Sequence, residues 1–578
     1  MSGLDTAVRA KVDEWLRGDY DAQTKSAIQV LLDTDAHEEL SDAFYKDLEF
    51  GTGGLRGIMG PGTNRVNKYT IGMATQGLAN WLNQQYEGQS ISVVIAHDCR
   101  NDSDTLSKVT ADVFTANGIK VYFFDGLRPT PELSFAIRHL GAKSGVMLTA
   151  SHNPKEYNGY KAYGHDGCQL VSPADKEVLA EVRKVRVTDV KFDRNADLFE
   201  LIGKKIDELY LDELMKLRLS SDAVTRQRDL KIVFSPIHGT GGVLVPPLLS
   251  QMGFENVILV EEQMKVDGDF PTVIYPNPEE AEALKMAIER AQIENADLVM
   301  ATDPDADRVG IAIKNKKGEH ILLNGNQTAV LLFNYVLDRT IAKAPLKGNE
   351  YIVKTIVTSY MLDKIAHDKN VECFNTLTGF KHIGAVMTSL EDEKKFIVGG
   401  EESYGYLVGD HARDKDAVIS CGMIAEMAAY YADQGKSLYD ALLDLYVKYG
   451  AYQESLVALT KKGKSGAEEI KALIEGFRSN PPSSFGGSEV VRYIDFQTQV
   501  DKNLVTGEET KVDLPVSNVL QFHTKEGSVI SARPSGTEPK VKFYCSVNAP
   551  LSKVSDYDDV KVVLDAKIEA LKKDLGVS

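Results

Sequence analysis

Apolar residues recur every three to four positions at the start of the chain and in short unbroken runs thereafter. Val8, Val12, Trp15 and Leu16 fall on one helical face and Ile28, Leu31 and Leu32 on a second, so the first 50 residues predict helices. From Gly51 the texture changes. ISVVIAHD (91–98) reads as a buried strand, DTLSKVTADVFTANG (104–118) as a helix with a glycine stop, and VYFFDG (121–126) as the next strand. PTPELSFAIRHLG (129–141) opens with Pro and closes with Gly, a helix signature. SGVMLTASHNP (144–154) is a strand running into a polar loop.

The alternation restarts twice. LKIVFSPIHGTGG (230–242), VILVEE (257–262) and ADLVMATDPDADR (296–308) form one set. YIVKTIVTS (351–359), VECFNTLTG (371–379) and KFIVGGEESYG (395–405) form another. Apolar strands alternating with helices predict mixed, parallel-rich sheets covered on both faces. After about Gly450, alternating strands near 489–522 and 528–548 lead to a closing helix from about Tyr557. The expected fold class is α/β, with three α/β domains (1–210, 211–324 and 325–450) and a C-terminal α+β domain (451–578) around a central cleft.

A length of 578 residues suits several domains. Lys plus Arg number 66 against 84 Asp plus Glu, a net charge of −18 that argues against a nucleic-acid binder while leaving room for a local anion pocket. The five cysteines are scattered without CxxC spacing, so neither a disulfide framework nor a zinc site is indicated. The early charges Asp5, Arg9, Lys11, Asp13 and Glu14 do not suit a signal peptide, and no apolar run reaches membrane-span length. A cytoplasmic protein without membrane or nucleic-acid partners is the expectation.

The polar clusters follow apolar strands, where ligands of open α/β sheets bind. DPDADR places Asp303, Asp305 and Asp307 two residues apart, so their carboxylates can converge on a hard cation such as Mg²⁺. An EF-hand is excluded, because its sixth and twelfth positions hold Arg308 and Lys314. A solvated acidic turn is the alternative. In TASHNP, Ser151 reads first as a turn residue and second as a nucleophile, beside His152 and Asn153. A phosphate on Ser151 would need a neighbouring cation, and the aspartate loop offers a site for one. RPSGTEPK (533–540) combines Arg533, Ser535, Gly536, Thr537 and Lys540 in a pattern that suits either a bound phosphate or a charged Pro/Gly turn. GTGGLRG (51–57), a Gly-rich backbone with Arg56, is a similar anion candidate, and IHGTGG (237–242) a weaker one that reads better as a strand-to-helix turn. KKGKSG (461–466) fails as a P-loop because Ala458 stands where its leading Gly belongs, and no dinucleotide fingerprint is present. GEESYG (400–405) offers Glu401 and Ser403 to sugar hydroxyls. Lys161 and Lys381 read as surface lysines or, beside these loops, as charge-balancing or proton-shuttling groups.

In this order and spacing TASHNP, DPDADR, GEESYG and RPSGTEPK resemble the signatures of the α-D-phosphohexomutase superfamily, one per domain, over essentially the whole chain. FPTVIYPNPEE (270–280) and GTGGLRG are further matches. The length and the GEESYG loop resemble the phosphoglucomutase branch that also contains phosphopentomutases and glucose-1,6-bisphosphate synthases. The resemblance implies a heart-shaped monomer, or at most a weak homo-oligomer, acting on small sugar phosphates. Ser151 would be the phosphoserine, and Asp303, Asp305 and Asp307 with a phosphoserine oxygen would bind Mg²⁺. Arg308 would sit beside that centre. Glu401 and Ser403 would hold sugar hydroxyls, while Arg533, Ser535, Gly536, Thr537 and Lys540 would grip the non-reacting phosphate. His152, Lys161, Arg56 and Lys381 would assist charge balance or proton transfer. The implied reaction interconverts glucose 1-phosphate and glucose 6-phosphate through glucose 1,6-bisphosphate, with ribose and mannose phosphates as open alternatives. A metal-dependent sugar phosphatase using Asp303 as nucleophile is the rival chemistry, and a silent sugar-phosphate binder the rival without chemistry.

Overall fold

A computed structural model of the chain describes residues 4–49, 54–461, 463–535 and 540–577. Contacts divide it into two compact units. The first comprises Met1–Leu323, Phe380–Phe396 and Tyr404–Asp433, and the second Asn324–Gly379, Ile397–Ser403 and Gln434–Ser578.

The first unit opens with helices Thr6–Arg17, Ala22–Asp33 and His37–Phe44. Their apolar stripes bury Val12, Trp15, Ile28, Leu40 and Phe44 together with Tyr69 of helix Lys68–Gln85. Its first sheet contains β1 (Gly54–Ile58), β2 (Ser92–His97), β3 (Lys120–Phe124), β4 (Ser144–Leu148), β5 (Tyr157–Gly164) and β6 (Phe199–Ile202) in the order β1-β5-β4-β2-β3-β6. β4, β2, β3 and β6 run parallel, while β5 returns antiparallel to both β4 and β1. Every residue of β4 is buried, as a strand covered on both faces requires. The second sheet repeats the design with β7 (Ile232–Ser235), β8 (Val257–Leu259), β9 (Leu298–Thr302), β10 (Val309–Lys314) and β11 (His320–Leu323) in the order β11-β10-β9-β7-β8. Here β8, β7 and β9 are parallel, and β10 turns back antiparallel on β9.

These reversals position the chemistry. TASHNP and DPDADR each lead straight into a returning strand, not into a helix. Both are turns at the carboxyl end of a fully buried strand, β4 or β9.

In the second unit β12 (Glu350–Thr355) pairs in parallel with β13 (Glu372–Thr376), and β14 (Lys395–Gly400) lies on the other side of β12. β15 (Tyr406–Val408), which belongs to the first unit, follows the GEESYG loop. The last sheet is built from β16 (Ala451–Thr460), β17 (Ser484–Phe485), β18 (Ser488–Asp495), β19 (Val500–Asn503), β20 (Glu509–Lys511), β21 (Leu520–Thr524), β22 (Val529–Pro534) and β23 (Lys540–Ala549), with antiparallel pairing from β16 through β23, β22, β21 and β18 to β19 and β20. Helix Tyr557–Asp574 closes the chain, as expected, and helix Gly463–Ser479, which the sequence did not signal, begins within KKGKSG. Among the described residues no helix is long and apolar enough to cross a membrane.

Candidate active site

The turn after β4 bends sharply at Ser151, whose φ of +52° lies in the left-handed region that disfavours a side-chain-bearing residue. Neighbouring groups hold it there. Thr149 Oγ accepts from the Ser151 amide at 2.8 Å and donates to the buried Asp98 carboxylate at 2.7 Å. Arg100 donates to the carbonyls of Ser151 (2.6 Å), Asn153 (2.5 Å), Pro154 (2.8 Å) and Tyr157 (3.0 Å). The result points Ser151 Oγ at Asp303 Oδ2, 3.2 Å away.

The turn after β9 folds around Asp303. Its Oδ1 accepts from the amides of Asp307 (3.0 Å) and Arg308 (3.1 Å), so the loop curls and gathers its carboxylates. Asp303, Asp305 and Asp307 are all buried, and one oxygen from each lies within 4.8 Å of the others. Thr130 Oγ donates to Asp305 Oδ2 at 2.9 Å from the start of helix Thr130–Leu140. Lys161 Nζ reaches Asp305 Oδ2 (2.7 Å) and Asp307 Oδ2 (3.1 Å), and Lys415 Nζ reaches Asp307 Oδ2 at 3.0 Å. Burial and the neighbouring Asp307 and Asp305 push the Asp303 carboxyl well above its usual range. Burial would raise Asp307 too, but Lys415, Lys161 and Arg308 overcome it and hold that carboxyl low. For Lys161 burial is likewise outweighed, by Asp305 and Asp307, and the ammonium is held in its charged form.

Asp305 Oδ1 and Asp307 Oδ1 are buried and accept no hydrogen bond. A buried carboxylate oxygen left this way is costly unless a cation takes it. The donor set is all oxygen, which suits a hard divalent ion. The residues therefore fit a metal at this trio.

His152, next to Ser151, bonds with Asn277, and its pKa is pushed down to about 2 by burial and by Arg308 and Arg56, which keeps the imidazole neutral. Arg308 pairs with Glu279, and Arg56 Nη1 donates to Asn153 Oδ1 at 3.2 Å. Lys381 stands near the start of helix Phe380–Ser389, where its carbonyl faces Cys168 Sγ at 3.5 Å. In the first unit the structure thus gathers Ser151, His152, Arg56, Lys161, Arg308 and the three aspartates.

The second unit holds the remaining candidates. Glu401 is buried and its Oε1 accepts from the Gly379 amide at 2.8 Å, while Glu402 takes the hydroxyls of Thr355 (2.9 Å) and Thr358 (3.2 Å). The paired glutamates therefore have separate duties. Ser403 is half-buried beside them. Tyr544 on β23 lies close to Glu402, Arg533 and Glu401, and burial with these carboxylates pushes its phenol up to about 12. The Ser535 amide donates to the Lys540 carbonyl at 2.7 Å, closing the base of the RPSGTEPK loop. Gly536 and Thr537, like residues 51–53 of GTGGLRG, lie outside the described residues.

Sequence reasoning missed Arg100, Thr130, Asn277, Glu279 and Lys415. Asn277 and Glu279 lie in FPTVIYPNPEE, a segment the sequence did flag, without roles. Lys415 follows β15 in DHARDKD, and only its place after a buried strand could have marked it.

Three family models match the chain: phosphoglucomutase/phosphomannomutase α/β/α domain I over residues 47–188, domain II over 208–318 and domain III over 324–449. A phosphoglucomutase of Staphylococcus haemolyticus is 35% identical over 545 residues, covering 94% of this chain and 96% of that protein. One of Staphylococcus aureus is 38% identical over 534 residues, covering 92% and 94%. The crystal structure of pp63/parafusin, a phosphoglucomutase from Paramecium, shares the fold with a TM-score of 0.65 at 17% identity, covering 90% of this chain and 96% of that one. With its serine turn set against three buried aspartates, the chain belongs to the phosphoglucomutase/phosphomannomutase family of the α-D-phosphohexomutase superfamily.

Proposed function

We propose that the protein interconverts glucose 1-phosphate and glucose 6-phosphate, on a four-domain chain divided near 210, 324 and 450. The observation that carries this reading is Ser151 Oγ, 3.2 Å from Asp303 among three buried carboxylates and two part-buried lysines. Phosphorylated Ser151 gives its phosphoryl group to the free hydroxyl of the hexose monophosphate. The P–O bond to Ser151 Oγ breaks, a P–O bond to the sugar oxygen forms, and the proton of the sugar hydroxyl ends on Ser151 Oγ, which departs as a neutral hydroxyl. The glucose 1,6-bisphosphate so formed turns end for end, and its other phosphoryl group returns to Ser151 Oγ.

Asp303, Asp305 and Asp307, with a phosphoserine oxygen, would hold Mg²⁺, which when bound supplies charge stabilisation at the transferring group. Lys161, charged through its two aspartate partners, and Arg308 add fixed positive charge beside it. Neutral His152 offers a hydrogen bond to a phosphoryl oxygen. Glu401 and Ser403 accept and donate bonds to sugar hydroxyls, and Arg533, Ser535, Gly536, Thr537 and Lys540 grip the phosphate that is not reacting. Lys381 and Arg56 complete the cationic surroundings.

The test is a mutase assay on glucose, mannose, N-acetylglucosamine and ribose phosphates with added glucose 1,6-bisphosphate and Mg²⁺. Glucose phosphates should turn over fastest, Ser151→Ala should lose activity by at least about a thousandfold, and peptide mapping should find phosphate on Ser151. Faster conversion of ribose phosphates would replace the substrate assignment. Net release of phosphate with Ser151→Ala still active would replace the chemistry.

A further inference from the structure

Lys415 and Lys161 reach the same oxygen of Asp307, but from differently built supports. Lys161 projects from β5, a strand of the first sheet. Lys415 projects from the loop between β15 and helix Ala417–Ala432, and a lysine on a loop has four rotatable side-chain bonds to scatter its charge. Its surroundings remove that freedom. Asp414 Oδ1 accepts from both the Lys415 amide (2.8 Å) and Lys415 Nζ (3.1 Å), folding the side chain back over its own backbone. The other oxygen of Asp414 accepts from Tyr163 Oη at 2.8 Å. Tyr163 is fully buried on β5, two residues beyond Lys161 and so on the same face of the strand. Burial and Asp414 raise its phenol well above its ordinary value, so it stays a donor.

The stem of Lys415 is confined as well. A Cβ at Gly405 would stand 2.0 Å from Lys415 Cδ, and the Phe380 ring lies 5.7 Å from Lys415 Nζ. One face of β5 therefore sets both cations, Lys161 directly and Lys415 through Tyr163 and Asp414.

We infer that Tyr163 and Asp414 are positioning residues that fix the Lys415 ammonium over the phosphoryl-transfer centre. The inference rests on the mutase reading of this site. It assigns Tyr163 no contact with substrate. Its hydroxyl orients Asp414, and Asp414 orients Lys415.

Tyr163→Phe deletes one oxygen and leaves the ring in its packing. The variant should lower kcat about tenfold to a hundredfold with KM within about twofold, because misplacing a charge at a reacting centre acts on the transition state. In a Lys415→Met background the same substitution should have no further effect, since the group it positions is gone. Independent losses that multiply would overturn the inference, as would an unchanged kcat.

A second measurement does not need turnover. Brief labelling with isotopic acetic anhydride, read by peptide mass spectrometry on the full-length protein, should modify Lys415 at least about threefold faster in Tyr163→Phe and in Asp414→Asn than in the wild type. Lys161 should react equally in Tyr163→Phe and the wild type. Equal Lys415 rates in all three proteins would overturn the inference even if no sugar phosphate were converted. A wild type inactive on every sugar phosphate, with the labelling difference intact, would overturn the mutase reading and leave the brace standing.

Discussion

Ser151 concentrates the local physics of the site. Its left-handed backbone costs about 1–2 kcal/mol for a residue with a side chain, and the clamp from Arg100 offsets it. Four carbonyls around one guanidinium require the planar fork that lysine lacks. Arg100→Lys should therefore keep the charge, lose the geometry and lower kcat by about a hundredfold. Steady-state kinetics beside intact-mass measurement of the phosphorylated fraction would check this, and unaltered kcat would refute it. Ser151 and the aspartates were legible in the sequence because unusual polar residues followed uniformly apolar strands. Arg100 and Lys415 were not. A lone cation in a loop looks like any solvated one until the fold surrounds it, and the deciding partners here, the carbonyls of Ser151, Pro154 and Tyr157 for Arg100 and the Asp307 carboxylate for Lys415, lie far away in sequence.

At the scale of elements, the opening helices, helices Ser103–Ala116, Thr130–Leu140 and Tyr557–Asp574, and the strands β2, β4, β7 and β9 could be read from apolar periodicity and turn signals, whereas helix Gly463–Ser479 could not. The returning strand β5 could not. Its sequence, YNGYKAYG, mixes Asn, Gly and Lys and has no clean alternation. Packing demands that composition. A Cβ at Gly159 would stand 2.6 Å from the Thr149 carbonyl oxygen and 2.8 Å from that of Leu55, so only glycine lets β5 lie between β4 and β1. Helix Ala417–Ala432 yields a prediction at the same scale. Asp416 caps it by accepting from Val418 (2.8 Å) and Ile419 (3.0 Å), and also pairs with Tyr210 (2.6 Å) and His411 (2.7 Å). Asp416→Ala removes a cap and strands two buried polar groups, and should cost about 3–5 kcal/mol. Urea unfolding would measure it, and a loss under about 1 kcal/mol would contradict the assigned role.

For the whole molecule, fold class and family were legible because the four signatures occur once each in a fixed order. The division into two contact units was not, since it depends on which distant segments pack together. Acid sensitivity is also a property of the whole. His523 on β21 is pushed down to about 4 by burial and by Arg492, from an ordinary 6.5. Its folded value lies below its unfolded one, so its contribution is full above about pH 6.5 and is lost as the pH falls towards 4. The loss is on the order of 3 kcal/mol across that window. The urea midpoint should drop between pH 7 and pH 5, and less in His523→Gln. An identical drop in both proteins would assign the acid sensitivity to other groups.

The order in which the units claim the chain bears on biosynthesis. The first unit takes residues up to Leu323, skips a stretch, and completes itself only with Phe380–Phe396 and Tyr404–Asp433. A nascent chain emerging from the ribosome thus exposes its serine turn and its aspartates well before Lys415 exists to meet them. Until that lysine is translated, Asp307 lacks one of the two ammonium groups that meet its Oδ2, so the half-made site carries one positive charge fewer than the finished one.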